Sequence, residues 1–407
     1  MFEPIRLSHT ISGTGGGLLF CLDASQPQQA LAPYRGQVQA VVMDPPFMTG
    51  EVFTRKRAFG AQGWRAGKPV VSLKGYPDRF DTPEVYQAML RGLLENAREL
   101  LAPTGVCYLH LDWRASAMAR LLCDEVFGAG NFLNEIIWSY ESGGRSRKYF
   151  SRKHDTILLY ARSPEYRFSL DRVPIPREGV RHNHLKRQAD ENGRVYGSVV
   201  VGGKEYRYYD DQPTYPGDVW TDISHLQQRD PERTGYPTQK PLKLLDRMLR
   251  PVVDPGDLVC DLCCGSGTAL EAARRLGCGF IGVDSSREAI AVSENRLRLQ
   301  DLSVHMACDA SPAALYGSFD AASGLVVLTG FEAEHPAFPR TAEPFAALEA
   351  WGCGPIVGET LHLQHICSRT FRAPELAPMG FVRTETYPLG VLTVDAAGRR
   401  QVFRWTD

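Results

Sequence analysis

The chain has 407 residues, 43% of them hydrophobic, with a formal net charge of −1; this is enough for more than one domain and a sizeable core. No run approaches the roughly 18 to 20 consecutive apolar residues that a membrane-spanning helix needs, and no charged-then-apolar leader opens the chain, so neither a membrane segment nor secretion is expected. Ten cysteines include one C-x-x-C, Cys260 to Cys263, without a second pair at zinc spacing, so no metal site and no disulfide framework are expected, and a reducing cytoplasm fits.

In chain order, Gly17 to Leu22 predicts a short strand ending at Asp23, and Gln26 to Tyr34 a helix. Val38 to Met43 predicts a β-branched strand that delivers Asp44-Pro45-Pro46-Phe47 at its carboxyl end. An acid followed by two prolines and an aromatic makes a rigid ledge with outward carbonyls and a ring for stacking. Between Met48 and Arg79 seven Lys or Arg, among them Arg55, Lys56 and Arg57, stand against two acids. Residues 50–75 lack clear periodicity and read as a long mobile loop of the kind that forms lids or binding loops. Thr82-Pro83-Glu84 opens a helix with an N-cap residue, a first-turn proline and an early acid, with Val85, Met89, Leu93, Leu94 and Leu100 on one face. Gly105 to Leu111 predicts a buried strand, Arg114 to Phe127 a helix, and Asn134 to Trp138 and Thr156 to Tyr160 two further strands. Alternating strands and helices indicate an α/β sheet.

Lys148 to Tyr236 breaks this rhythm and reads as an insert, and the stretch from Arg145 to Asp210 carries 15 basic against 8 acidic residues. The pattern resumes with a helix over Lys240 to Leu249, a strand Asp257 to Asp261, a helix Gly267 to Leu276, a strand Gly279 to Val283 ending at Asp284, and a helix Glu288 to Leu299. Asp261-Leu262-Cys263-Cys264-Gly265-Ser266-Gly267-Thr268 is a glycine turn between strand and helix that brings backbone close to a bound nucleotide-like group. Asp284 follows about 20 residues later, a spacing that suits a carboxylate holding ribose hydroxyls. The third glycine of a dinucleotide fingerprint is missing, which disfavours nicotinamide. After about Ala310, strands at Leu325 to Leu328, Ile356 to Val357 and Val391 to Val394 and a short helix over Glu343 to Ala350 predict a small α+β appendage. It is acidic, with 7 basic against 12 acidic residues from Asp301 and no lysine.

Asp44-Pro45-Pro46-Phe47-Met48-Thr49-Gly50 resembles the catalytic motif of amino-methylating DNA methyltransferases, usually D-P-P-Y followed by Asn-Thr-Gly. Gly235-Tyr236-Pro237-Thr238-Gln239-Lys240-Pro241 resembles the segment before their cofactor motif, and Asp261 to Thr268 resembles that motif itself. Catalytic motif, then insert, then cofactor motif is the circularly permuted order of the β class of these enzymes. The likeness covers roughly residues 15 to 300; Met48 stands where Asn is common, and Leu262-Cys263 where Pro-Phe is common.

The resemblance implies a Rossmann-like, circularly permuted α/β methyltransferase sheet. Its parts would be a catalytic half (1–147), a target-recognition insert (148–234), a cofactor-binding half (235–302) and the appendage (303–407). It implies S-adenosylmethionine as methyl donor, bound by Asp23, Lys240, Asp261, Cys263, Gly265, Gly267, Thr268 and Asp284, with Asp44, Pro45, Pro46 and Phe47 catalytic. Arg55, Lys56, Arg57, Arg145, Arg147, Lys148, Arg152, Lys153, Lys186 and Arg187 would contact double-stranded DNA, mostly at phosphates. Asp at the head of the motif favours N6 of a flipped adenine; N4 of cytosine is the alternative acceptor, and a DNA-binding module without catalysis the alternative class. A homodimer is carried over as an expectation. A cognate restriction or defence partner and a solitary regulator both stay open.

Overall fold

The computed structural model describes residues 2–5, 10–12, 17–57, 59–61, 71–141, 147–175, 187–227, 230–297, 302–305, 313–333, 338, 343–358, 360–369, 375–383, 388–395 and 399–406. Of residues 3–5, 10–12, 54–57, 71–75 and 302–305 only the backbone is described.

Seven strands and five helices hold the centre: β1 (Gly17–Cys21), β2 (Val38–Met43), β3 (Leu101–Leu111), β4 (Phe132–Ser139), β5 (His154–Ala161), β6 (Leu258–Asp261), β7 (Gly279–Asp284), α1 (Pro83–Leu100), α2 (Ser116–Cys123), α3 (Leu242–Leu249), α4 (Thr268–Arg275) and α5 (Arg287–Leu297). In space the order is Leu302–His305, β1, β7, β6, β2, β3, β5, β4 and Val219–Trp220. Neighbours from Leu302–His305 to β3 are parallel; β5 runs antiparallel to both β3 and β4. This is the Rossmann-like α/β sheet the sequence implied.

β2 is buried along its whole length. Val38, Val41 and Met43 pack with Tyr86, Leu90 and Leu94 of α1 on one face, while Ala40 and Val42 pack with Leu244 and Met248 of α3 and Leu270 of α4 on the other. Two covered faces explain why the strand reads as apolar on both sides, and its one polar residue, Gln39, is buried with its amide bonded to Thr104. Thr82 caps α1 by accepting from the Val85 amide. The apolar face of α1 is turned from the expected one: Val85 is exposed, and Tyr86, Leu90 and Ala97 are buried with Leu93, Leu94 and Leu100.

Three other expectations change. The segment read as a loop contains a hairpin, Val52–Arg57 paired antiparallel with Val71–Pro77, because the unpaired backbone of an extended segment finds a partner even without apolar alternation. The helix expected from Gln26 is a 3-10 turn over Gln29–Tyr34 with Pro33 inside it. The helix expected over Glu343 to Ala350 is a turn leading into the strand Leu348–Val357. That strand pairs with Leu389–Asp395 and His365–Ser368, and this tertiary pairing overrides the helical preference of an Ala-Leu-Glu-Ala run.

Of the C-terminal strands, Ala313–Asp320, Leu325–Ala333 and Met379–Phe381 form a separate antiparallel sheet, while others join the central one. These prolong the central sheet beyond Leu302–His305 through Thr10–Ser12, Thr360–His362, Leu348–Val357, Leu389–Asp395, Arg400–Trp405 and Phe2–Ile5. Arg400 and Glu294 of α5 form a buried ion pair across the junction. Within the insert, Arg187–Ala189, Val195–Val201 and Lys204–Tyr209 form a separate three-stranded antiparallel sheet.

A carboxylate-lined cleft at the strand ends

Parallel neighbours β2, β6 and β7 end side by side, so Asp44, Asp261 and Asp284 all open into one cleft of about 320 Å³. Open α/β sheets bind ligands at this carboxyl edge.

The Asp44 wall is held by side chains. Lys240 Nζ donates to Asp44 Oδ2 at 2.6 Å, and His110 Nδ1 lies 3.9 Å from Oδ1, which is buried without a hydrogen-bond partner. Pro45 is buried, and the Pro46 carbonyl accepts from the Tyr86 hydroxyl at 2.8 Å. Phe47 is half-buried, its ring 6.0 Å from the His110 ring and 5.2 Å from the Lys240 ammonium. Buried Asp78 closes the following turn. It accepts from the Met48 amide at 2.8 Å, the Thr49 amide at 3.1 Å and the Thr49 hydroxyl at 2.6 Å, and Met48 sits at φ 61°.

The opposite wall is held by backbone amides. Asp284 Oδ2 accepts from the Gly265 amide at 2.9 Å and Oδ1 from the Ser286 amide at 2.8 Å. Asp261 Oδ1 accepts from the Cys263 amide at 3.0 Å. Gly265 and Gly267 both have positive φ; a Cβ on Gly265 would sit 3.1 Å from the Tyr236 ring, and one on Gly267 2.8 Å from Ser293 Oγ. Thr268 Oγ1 donates to the Lys240 carbonyl at 3.2 Å and accepts from Arg296, which also reaches Glu232. The segment carrying Lys240 is thereby fixed to the glycine turn. Asp23 lines the same cleft and accepts from both the amide and hydroxyl of Ser25.

Burial pushes the Asp284 carboxyl up to about 6, against the pull of its two amide donors. Burial, followed by the Cys263 amide acting the other way and repulsion from Asp44 and Asp284, takes Asp261 to about 8. Burial also raises the Cys260 and Cys263 thiols, which leaves the C-x-x-C without thiolate character.

All eight residues expected at the cofactor lie on or beside this wall, and Lys240 pairs with Asp44 across the cleft. The expected DNA contacts are more scattered. The side chains of Arg55, Lys56 and Arg57, and all of Arg145 and Lys186, lie outside the described residues. Arg147 and Lys148 are exposed, and Arg152 stacks on exposed Trp113 at 3.6 Å. Lys153 donates to the Glu141 carbonyl at 3.4 Å, and Arg187 is paired with Asp210.

Sequence reasoning missed His110, Asp155, Tyr140 and Asp78. For His110 a signal existed: His110-Leu111-Asp112 ends the strand that a parallel sheet would put beside Asp44. For Asp78 there was none.

The family model described as DNA methylase of the N6/N4 type matches residues 38–295. The chain is 30% identical over 160 residues to the type II methyltransferase M.BglII of Bacillus subtilis, covering 39% of this chain and 40% of that protein. It is 29% identical over 206 residues to the type II methyltransferase M.HpaI of Haemophilus parainfluenzae, covering 50% and 57% respectively. The chain therefore spans about half the length of these relatives. Among solved structures it is similar to the M1.HpyAVI–SAM complex, at 15% identity and a TM-score of 0.43, over 69% of this chain and 98% of that one.

Proposed function

The chain belongs to the N6/N4 DNA methylase family, and from that premise we propose that it methylates N6 of an adenine flipped out of duplex DNA, with S-adenosylmethionine as donor. The observation that carries the reading is that Asp44 and Asp284, from strand ends of one parallel sheet, line one cleft. Its volume of about 320 Å³ falls within the roughly 300 to 1,000 Å³ of small-molecule sites. The residues fit the cofactor: Asp284 offers a carboxylate for ribose hydroxyls, Asp23 reaches the same space, and the amide turn at Gly265 admits close backbone approach. Asp261, Cys263, Thr268 and Lys240 complete that side, and Gly267 shapes the turn. When bound, S-adenosylmethionine supplies an electrophilic methyl group.

The exocyclic amine is a poor nucleophile because its lone pair is delocalised into the ring. Asp44 and the Pro45 carbonyl accept its two N–H bonds and draw the nitrogen towards tetrahedral geometry, and alignment supplies much of the rate. Phe47 stacks on the base, which must first leave the helix because its amine is committed to pairing. No cysteine nucleophile is needed. Asp rather than Ser at the head of the motif supports adenine over N4 of cytosine. Exposed Arg147, Lys148 and Arg152, together with Lys153, suit phosphate contacts, and Arg55, Lys56, Arg57, Arg145, Lys186 and Arg187 extend the proposed DNA surface. A homodimer, a restriction partner and a cytoplasmic site of action belong to the same reading.

Nucleoside mass spectrometry on DNA from cells expressing the wild-type chain or Asp44→Ala tests it. N6-methyladenine in the wild type alone is expected. N4-methylcytosine would keep the chemistry and overturn the acceptor, and neither product would overturn the methyltransferase reading.

A further inference from the structure

Behind Asp44 lies a line of buried polar groups that no motif announces. His110, 3% exposed, places Nε2 3.0 Å from Asp155 Oδ2, and the Tyr140 hydroxyl donates to Asp155 Oδ1 at 2.8 Å. Trp138 lies edge-on to His110 with ring centres 5.7 Å apart, and its own indole N–H donates to the Ile223 carbonyl at 2.8 Å, which fixes the imidazole plane. An ionised carboxylate only accepts, so Asp155 requires the proton of neutral His110 to sit on Nε2. The lone pair of Nδ1 then faces Asp44 Oδ1, 3.9 Å away and otherwise unpartnered, while Lys240 holds the other oxygen. Two acceptors facing each other in a buried space make a place for one proton.

We propose that His110, positioned by Asp155 and Tyr140, receives the proton that the methylated amine must lose. This rests on the methyltransferase reading above. The amine nitrogen uses its lone pair to form the N–C bond as the carbon–sulfur bond breaks with its pair going to sulfur. The nitrogen is left with one surplus proton and a positive charge. Asp44 takes that proton on the oxygen that Lys240 gives up, and a turn of the carboxyl about its Cβ–Cγ bond presents it to Nδ1 of His110. A movement of about 1 Å brings the pair to the roughly 2.9 Å of an N–H···O bond. The imidazolium formed is held between Asp44 and Asp155, and Asp44 is again ionised. Among the described residues, the other charged or titratable groups facing this line are Lys240, Asp261, Tyr76 and Cys263 around Asp44, His225 beside Tyr140, and Asp112, the last paired with Arg114. His110 acts through Asp44 and is a positioning and relay residue.

Two measurements on the full chain test this. In the first, ¹⁵N-histidine NMR follows His110, picked out of ten histidines by comparison with His110→Gln. The neutral ring is expected to carry its proton on Nε2, and Asp155→Asn should remove that preference. A proton on Nδ1 of the neutral ring would overturn the relay whatever the enzyme's activity. In the second, single-turnover methylation is followed against pH at saturating cofactor. His110→Gln should lose roughly 10²-fold in rate and flatten the acid limb, with cofactor affinity unchanged within about twofold. Tyr140→Phe, a milder change, should lose less than tenfold and move the limb. A folded His110→Gln with the wild-type rate and limb refutes the inference, whereas a wild type inactive on every DNA with the neutral His110 ring protonated on Nε2 refutes the methyltransferase reading instead.

Discussion

The two walls of the cleft hold their acids by different means. Asp284 and Asp261 accept from backbone amides at 2.8 to 3.0 Å, donors fixed by the turns that contain them. Asp44 is met by the tip of a lysine at 2.6 Å and, on its other side, by an imidazole still out of hydrogen-bond range at 3.9 Å. Amide donors cannot move away or change charge, so they suit a carboxylate that binds the same hydroxyls in every cycle. Lysine and histidine side chains can do both. They suit a carboxylate that must release one partner, engage a substrate amine and handle a proton.

The largest expected effect separates these roles. Asp44→Ala should lower methyl transfer roughly 10³-fold while leaving the dissociation constant for S-adenosylmethionine, read by calorimetry, within about threefold of wild type. Asp284→Ala should do the reverse, weakening cofactor binding on the order of 10²-fold. Equal effects of the two variants on both quantities would erase the distinction between the walls. Phe47→Ala follows in size, because stacking on a base is worth about 1–3 kcal/mol; its Michaelis constant for DNA should rise roughly tenfold or more, and Phe47→Tyr should remain active.

Titration sharpens the same contrast. With the Asp284 carboxyl at about 6, the ionised form proposed to accept ribose hydroxyls is lost below that pH, so cofactor affinity should fall towards tenfold per pH unit. Stability moves the other way. A carboxyl whose folded pKa is raised binds its proton more tightly in the native state. Its contribution is full below the unfolded value of about 3.9 and disappears as pH rises through the folded one, near 8 for Asp261. Asp261→Asn should therefore gain more in melting temperature relative to wild type at pH 8 than at pH 5. A difference that does not change with pH would mean that Asp261 stays ionised throughout.

Local sequence carried the strands and turns that build the sheet, since β2 is apolar on both faces and the glycine turn needs positive φ at Gly265 and Gly267. What it could not carry was anything decided by pairing across long separations. The hairpin of Val52–Arg57 with Val71–Pro77, the strand Leu348–Val357 and the joining of Phe2–Ile5 to Arg400–Trp405 have no local pattern that demands them. The same holds in the site. Asp44 and Gly265 were legible from their neighbours in sequence, whereas Asp155, 45 residues beyond His110, meets it only through the antiparallel register of β3 and β5.

The smallest expected effect concerns the turn after Phe47. Asp78 accepts two successive amides, from Met48 and Thr49, and Met48 makes this turn in the left-handed region, at φ 61°. A residue with a Cβ costs roughly 1–2 kcal/mol there, and Asn tolerates the conformation better than Met because its short polar side chain bonds locally. Met48→Asn should thus stabilise the chain by about 1 kcal/mol, a rise of roughly 1 °C in a melting curve for a chain of 407 residues, with transfer rate within about threefold. Met48→Val, β-branched and poorly suited to positive φ, should lower both the melting temperature and the affinity for DNA, since Phe47 is the residue immediately before it. If Val is tolerated in both respects, the Asp78 clamp does not set the position of the Phe47 ring, and the Asp44 wall is looser than its hydrogen bonds indicate.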